Sequence, residues 1–279
     1  SRSRSLSVHY DTLLGKRELF IFSVGINKYE NANYNLNYAK NDAHSFTNEL
    51  SEGGQTLFEE IHTMPIYNKD VTKEKVLSSL EEFRTLIGPE DVFVFYFAGH
   101  GVMIPNPEEV SSSFFLVMSD ITNMYGDFES LSNKGVSGDE LFKLAKNISA
   151  QKQLFIIDAC QSGGALKGGN FRGVEREKAI ANLARSSGTF FITASQEMEY
   201  ANESSDLKHG VFTYAILELL NPSTTISTGF NSDHIISASE LKSYVESRVP
   251  ELSKKYKGSP QYPTGYSFGN DFPITERKR

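Results

Sequence analysis

The chain has 279 residues, 39% of them apolar and 23% charged, the balance of an ordinary globular protein long enough to bury a sizeable core. A formal net charge of −7 and the lack of any long Lys/Arg block exclude a phosphate-tracking surface, so no nucleic-acid partner is expected. The single cysteine excludes an intrachain disulfide framework and fits a reducing, cytoplasmic setting.

No apolar run approaches the length of a membrane span, and the start, Ser-Arg-Ser-Arg-Ser, leads into polar residues rather than the apolar core of a secretory signal, so no membrane partner is expected. The missing initiator Met is what a trimmed chain, or one cut from a longer protein, would show. Residues 1–17 are small, basic and aperiodic, and are expected to form a flexible arm. Leu19–Ile26 is a continuous apolar run, the pattern of a strand buried on both faces. Ala39–Leu50 has helical spacing, Glu59–Ile66 alternates like a strand, and Val71–Ile87 carries a helical stripe closed by Gly88-Pro89. Asp91–Ala98 (DVFVFYFA) is the strongest buried strand. Gly138–Ile148 follows as a helix opened by a capping box from Ser137 to Glu140. Gln153–Ile157 and Thr189–Thr193 are short buried strands, and Gly210–Leu220 and Ser237–Val249 are helices. Residues 164–187, Gly-rich and charged, are expected to be a mobile loop, and Tyr262–Ile274 a last extended segment. Strands alternating with helices require crossover connections. They predict an α/β fold: a mainly parallel sheet with helices on both faces, in one domain over residues 18–279.

In such a sheet, chemistry gathers beyond the carboxyl ends of the strands. One predicted strand runs into Gly99-His100-Gly101 and another into Asp158-Ala159-Cys160-Gln161-Ser162-Gly163. Alone, Cys160 fits an inert buried thiol and His100 a strand-end cap. Joined by one helix-bearing crossover, the two strands are expected to lie side by side or nearly so, which would place an imidazole and a thiol at one sheet edge. A free thiol, with a pKa of roughly 8.5, needs such a base to become a nucleophile. The N–H groups of Gly101 and Cys160 are the expected oxyanion donors. His9, His44, His62, His209 and His234 lack comparable settings and are read as surface or locally satisfied. Gly265-Tyr266-Ser267-Phe268-Gly269 matches the G-x-S-x-G elbow, but prolines flank it and no histidine follows, so it is read as a turn. No metal-binding pattern is present and no cofactor is expected.

These strand ends resemble the caspase-like clan of cysteine peptidases, whose caspase signature is Q-A-C-[RQG]-G with a histidine about 50 residues upstream. Here Ala159-Cys160-Gln161 has Asp158 before it, and His100 lies 60 positions upstream. The Asp-x-Cys-x-Ser-Gly pattern is more similar to metacaspases and their bacterial relatives than to animal caspases. Leu36–Ala43 (LNYAKNDA) and Phe212-Thr213-Tyr214 are similar to further metacaspase stretches, so the resemblance spans roughly residues 18–275 in order. It implies an α/β/α sandwich and an endopeptidase that cuts protein or peptide substrates after Arg or Lys. An acidic pocket of Asp42 and Asp158 would hold the P1 cation, with Ala98 at a third position often occupied by Ser. Helix capping by Asp42 and a strand-end turn at Asp158 are the plainer readings of those two residues. Many metacaspases bind calcium through acidic loops. Asp120 and Asp127 stand in the matching region, but Lys167 occupies a position acidic in some relatives, so calcium independence is expected. The resemblance also implies a monomer and self-cleavage within residues 164–187. The alternatives are a separase-like (CHAT-type) protease of the same clan and a catalytically silent caspase-like binding module.

Overall fold

The computed structural model describes residues 17–105, 112–125, 127–161, 189–194, 203–204, 206–221 and 233–277. In chain order the first half holds β1 (Leu19–Gly25), α1 (Ala39–Gly54), β2 (Ile61–Tyr67), α2 (Lys73–Arg84), β3 (Val92–Pro105) and β4 (Ser112–Leu116). Then come α3 (Phe128–Lys134), β5 (Val136–Ser137), α4 (Gly138–Asn147), β6 (Lys152–Gln161) and β7 (Phe190–Thr193). The last part holds β8 (Glu203–Ser204), β9 (His209–Gly210), α5 (Val211–Leu220), β10 (Ile235–Ser237), α6 (Ala238–Lys257), β11 (Thr264–Ser267) and β12 (Pro273–Glu276).

The sheet runs in the order β11-β7-β6-β3-β1-β2. Strands β2, β1, β3, β6 and β7 are parallel, and β11 closes one edge antiparallel to β7. The predicted α/β sandwich with helices on both faces is present. On one face, Phe46 and Leu50 of α1, Ile216 and Leu219 of α5, and Leu241 and Val245 of α6 cover Leu19, Ile21, Val94 and Ile156. On the other, Val76, Leu80 and Phe83 of α2 and Leu141 and Ala145 of α4 cover Phe20, Phe22, Phe95 and Phe155. Adjacent residues of each strand serve opposite layers, so the central strands are apolar throughout. β1 has β2 on one side and β3 on the other. The direction of winding therefore reverses beside β1, the position where open α/β sheets leave a crevice at their carboxyl ends.

The capping box expected at Ser137 forms, and Ser237 with Glu240 forms a second one at the start of α6. Other boundaries differ from expectation for identifiable reasons. Asp91 lies outside β3, and its carboxylate accepts the amides of Glu18 and Gly88. Thr72 caps α2, so Val71 stays outside the helix. α6 runs on through Pro250, past the expected end at Val249, and is closed by Gly258 in the left-handed conformation. The segment read as a turn at Gly265–Gly269 is largely β11: Gly265 pairs with Ile192 and Tyr266 with Phe191. The segment follows α6 and precedes β12, so it has neither the preceding strand nor the following helix of a nucleophile elbow. Of the expected arm, Arg17 is described, and its carbonyl accepts the Glu59 amide. The rest of it, and the expected loop 164–187, lie outside the described residues. No helix among the described residues is long and apolar enough to cross a membrane.

Glu218 of α5 ties that helix to α6. It pairs with Arg248 Nε at 2.6 Å and Nη2 at 2.8 Å and accepts from the Tyr244 hydroxyl at 2.7 Å. The Arg248 hydrogen bonds hold the Glu218 carboxyl below the ordinary carboxylate range. The folded state therefore binds this proton more weakly than the unfolded chain does. The stabilisation is complete above the unfolded carboxyl value of about 4.3 and is lost as pH falls through the lowered folded value. Glu218→Gln is expected to cost about 1.5–3 kcal/mol at neutral pH, the range for hydrogen bonds to charged groups. The lower half of that range is favoured because Arg248 is 34% exposed. Urea unfolding at pH 7 and pH 3.5 measures it, and the difference between the two proteins should shrink at the lower pH.

Candidate active site

β3 outruns its neighbour β1, which ends with Gly25 opposite Ala98. Beyond that point β3 keeps β6 on one side, with Ala98 opposite Asp158, His100 opposite Cys160 and Gly101 opposite Gln161. Positions 100 and 160 thus occupy adjacent strands at one level, about 4.8 Å apart along the hydrogen-bonding direction. Both residues lie inside extended strands, whereas the sequence reading ended those strands at Ala98 and Ile157. The glycines and polar residues there carry no apolar pattern, and the ladder with β4 and β6 is what extends β3. Gly101 has a packing reason as well, because a Cβ there would lie 2.9 Å from the Phe114 ring.

Where β1 stops, the segment from Ile26 to Tyr38 takes over the wall beside His100. Asparagines hold its shape: Asn27 receives the Lys40 amide and donates to the Asn37 carbonyl, and Asn35 receives the Tyr29 amide. The result places two tyrosines against the buried His100 imidazole, with ring centroids at 5.0 Å for Tyr29 and 6.3 Å for Tyr34. The Tyr29 hydroxyl oxygen accepts the His100 backbone amide at 2.9 Å. Burial pushes the Tyr29 phenol well above its ordinary value, so it remains a neutral hydroxyl. His100 Nε2 lies 2.8 Å from the Tyr34 carbonyl oxygen. A carbonyl can only accept, so Nε2 carries the hydrogen and Nδ1 is the basic nitrogen. The Tyr34 carbonyl thereby orients the ring and selects its tautomer.

The two predicted acids also converge. Asp42 lies in the first turn of α1, yet its carboxylate does not cap that helix: Oδ2 accepts the Gly210 amide at 3.1 Å, and Oδ1 lies 2.6 Å from Nδ1 of His209. Asp158 Oδ2 accepts the Thr213 hydroxyl at 2.5 Å. A Cβ on Gly210 would fall 3.1 Å from Asp158 Oδ2 and 3.3 Å from Asp42 Oδ2, so a side chain there would crowd both carboxylates and push them aside by a few tenths of an ångström. Gly210 is the N-cap of α5, and the positive end of that helix favours both ionised acids. Asp42 is buried and Asp158 half-buried. Ala98, opposite Asp158, is buried and brings no hydroxyl.

His209, read as surface or locally satisfied, is instead partnered at long range, with Nδ1 2.6 Å from Oδ1 of Asp42, 167 positions earlier. Its neighbourhood to the Phe-Thr-Tyr helix start was the available signal. Tyr29, Tyr34, Tyr96 and Thr213 were also missed. A tyrosine within the apolar strand at position 96 is the one clue, because a buried phenol needs a hydrogen-bond partner. Of the acids considered for calcium, Asp127 caps α3 by accepting the Ser130 amide, and Asp120 Oδ2 lies 3.7 Å from Nζ of Lys134. Among the described residues, one group of metal-ligand type gathers: Glu18, Glu60 and His62, at the opposite end of the sheet. There His62 Nε2 and Glu18 Oε2 are 2.8 Å apart, a direct hydrogen bond rather than two ligands spaced around an ion.

A family model of the caspase domain (Peptidase_C14) matches residues 22–267. No protein of curated function matches the sequence. Among solved structures, protein GSU0716 from Geobacter sulfurreducens is similar in fold, with a TM-score of 0.61 at 17% identity, covering 94% of this chain and 97% of that one.

Proposed function

Because the chain belongs to the caspase-domain family of peptidases, we propose that it is a cysteine endopeptidase that cuts proteins after Arg or Lys, with Cys160 as nucleophile and His100 as its base. The observation that carries this reading is the register of β3 and β6, with His100 opposite Cys160 and an aspartate two residues before the cysteine. His100 Nδ1 takes the thiol proton, and the thiolate sulfur attacks the scissile carbonyl carbon. The N–H groups of Gly101 and Cys160 receive the developing oxyanion. The imidazolium returns its proton to the leaving amine as the C–N bond breaks, leaving a thioester. Water, deprotonated by His100, hydrolyses the thioester and restores the thiol. The Tyr34 carbonyl serves where other cysteine and serine peptidases use a side chain to orient the histidine.

The acids around Gly210 support the cation preference. Two carboxylates in a partly desolvated site hold a guanidinium or ammonium by charge-assisted hydrogen bonds and disfavour an acidic P1 residue. A peptide library varied at P1 tests the assignment, with Arg and Lys expected to dominate. Uniform cleavage at neutral P1 residues would refute the acid-pair role while leaving the dyad standing.

Self-cleavage belongs to the same reading. Residues 164–187 carry Lys167, Arg172, Arg176, Lys178 and Arg185, all acceptable to an acidic P1 site. Cutting after Lys167, Arg172 or Arg176 is expected to give fragments of roughly two-thirds and one-third of the chain. Intact-mass measurement of wild type beside Cys160→Ala checks this. A wild-type enzyme that is active yet remains one chain would place its control elsewhere. Monomeric behaviour, activity without calcium and a cytoplasmic setting complete the proposal.

A further inference from the structure

Behind the acid pair lies a hydrogen-bond chain that no feature of the dyad requires. Tyr96 of β3 is fully buried, its ring stacked on Phe46 of α1 with centroids 4.5 Å apart. Its hydroxyl oxygen is 2.5 Å from Oγ1 of Thr213, itself fully buried in the first turn of α5. Thr213 Oγ1 is in turn 2.5 Å from Asp158 Oδ2. The direction of this chain is forced. An ionised carboxylate can only accept, so the one hydroxyl hydrogen of Thr213 points at Asp158. Thr213 then has only a lone pair to offer Tyr96, and the phenol must be the donor. Burial and the charges of Asp158 and Asp42 raise the Tyr96 phenol well above its ordinary value, so this donor does not ionise. Chains ordered in one sense polarise each member and hold the terminal acceptor in place.

We propose that Thr213, backed by Tyr96, is a positioning residue for the P1 specificity site, fixing the Asp158 carboxylate from behind so that it meets the substrate cation in a set orientation. This rests on the reading of Asp42 and Asp158 as the P1 site. A planar guanidinium rewards a carboxylate held at a fixed angle, and an unanchored one must be ordered at each binding event. Asp158 is only half-buried and belongs to a strand end, whereas Thr213 and Tyr96 stand on elements locked into the core. The anchor therefore transmits the rigidity of the core to the edge of the sheet. The effect should fall on substrate binding, because neither residue is bonded to His100 or placed in register with Cys160.

The test compares Thr213→Val, Thr213→Ser and Tyr96→Phe in the full chain, using a fluorogenic peptide with Arg at P1 and a peptidyl argininal as binding probe. Thr213→Val keeps the shape and removes the hydroxyl. KM and the inhibition constant should rise about tenfold with kcat within about twofold, the scale of one lost hydrogen bond to a charged group. Thr213→Ser should return both to near wild type. Tyr96→Phe, which leaves Thr213 on Asp158, should give a smaller rise in the same direction, and it decides the matter if Thr213→Val does not fold. KM within twofold of wild type in Thr213→Val, a fall in kcat alone, or no rescue by serine would overturn the proposal. Asp158→Asn separates the two levels. If it raises KM and Thr213→Val does not, the acid pair stands and only the anchor fails. If neither changes KM, or wild type neither cuts nor binds P1-Arg ligands, the acid-pair reading fails and takes the anchor with it.

Discussion

Cys160→Ala is expected to abolish peptide cleavage while leaving the unfolding transition close to that of wild type. The substitution removes the only thiol in the chain, and no other nucleophile occupies the register position opposite His100. Position 160 is the penultimate residue of β6, at the carboxyl end of the strand, and a change from cysteine to alanine leaves the backbone ladder with β3 in place. His100→Ala should lower kcat by about 10²–10⁴-fold, the usual worth of a positioned general base. It should also slow alkylation of Cys160 by an irreversible thiol reagent, because the thiolate is no longer generated beside an imidazole. The two readouts together separate an enzyme from a silent caspase-like module. A module would show ordinary thiol reactivity and no dependence on His100. Cleavage at the wild-type rate by Cys160→Ala would remove the assignment outright.

The second large effect concerns the acids. Asp158→Ala is expected to lower kcat/KM for Arg and Lys substrates by about 2–4 kcal/mol, roughly 30- to 1,000-fold, the range for truncating one partner of a buried charge pair. Asp42→Ala should lose a similar amount for the substrate but carry an added cost in stability. Its carboxylate satisfies the buried Gly210 amide and His209 Nδ1, and removing it strands that amide. An unsatisfied buried donor costs about 1–3 kcal/mol. The pair of mutants should therefore differ in melting temperature while matching in specificity loss. Efficient cleavage after Asp by the wild-type chain would contradict an acidic pocket and bring the enzyme closer to animal caspases.

The sequence by itself determined the layers of this protein. Unbroken apolar runs such as Leu19–Ile26 and Asp91–Ala98 demand burial on both faces, and helices spaced between them demand crossovers, which leaves a parallel sheet as the packing solution. It also singled out His100 and Cys160 as candidates, because an imidazole and a thiol with glycines close by, just after buried strands, stand where an open sheet gathers its chemistry. Apolar periodicity, however, is a local signal, and it fades where strands turn polar. The continuation of β3 and β6 through the predicted dyad was decided by ladder partners, not by composition. The remaining features join residues far apart in the chain. His100 meets the Tyr34 carbonyl across 66 positions, Asp158 meets Thr213 across 55, and Asp42 meets Gly210 across 168. Hydrogen bonds of this kind are chosen by how α1, α5 and the loop after β1 pack onto one sheet edge. Only the tertiary structure could bring two carboxylates around one glycine, hand one of them to a histidine, and anchor the other through a threonine and a tyrosine.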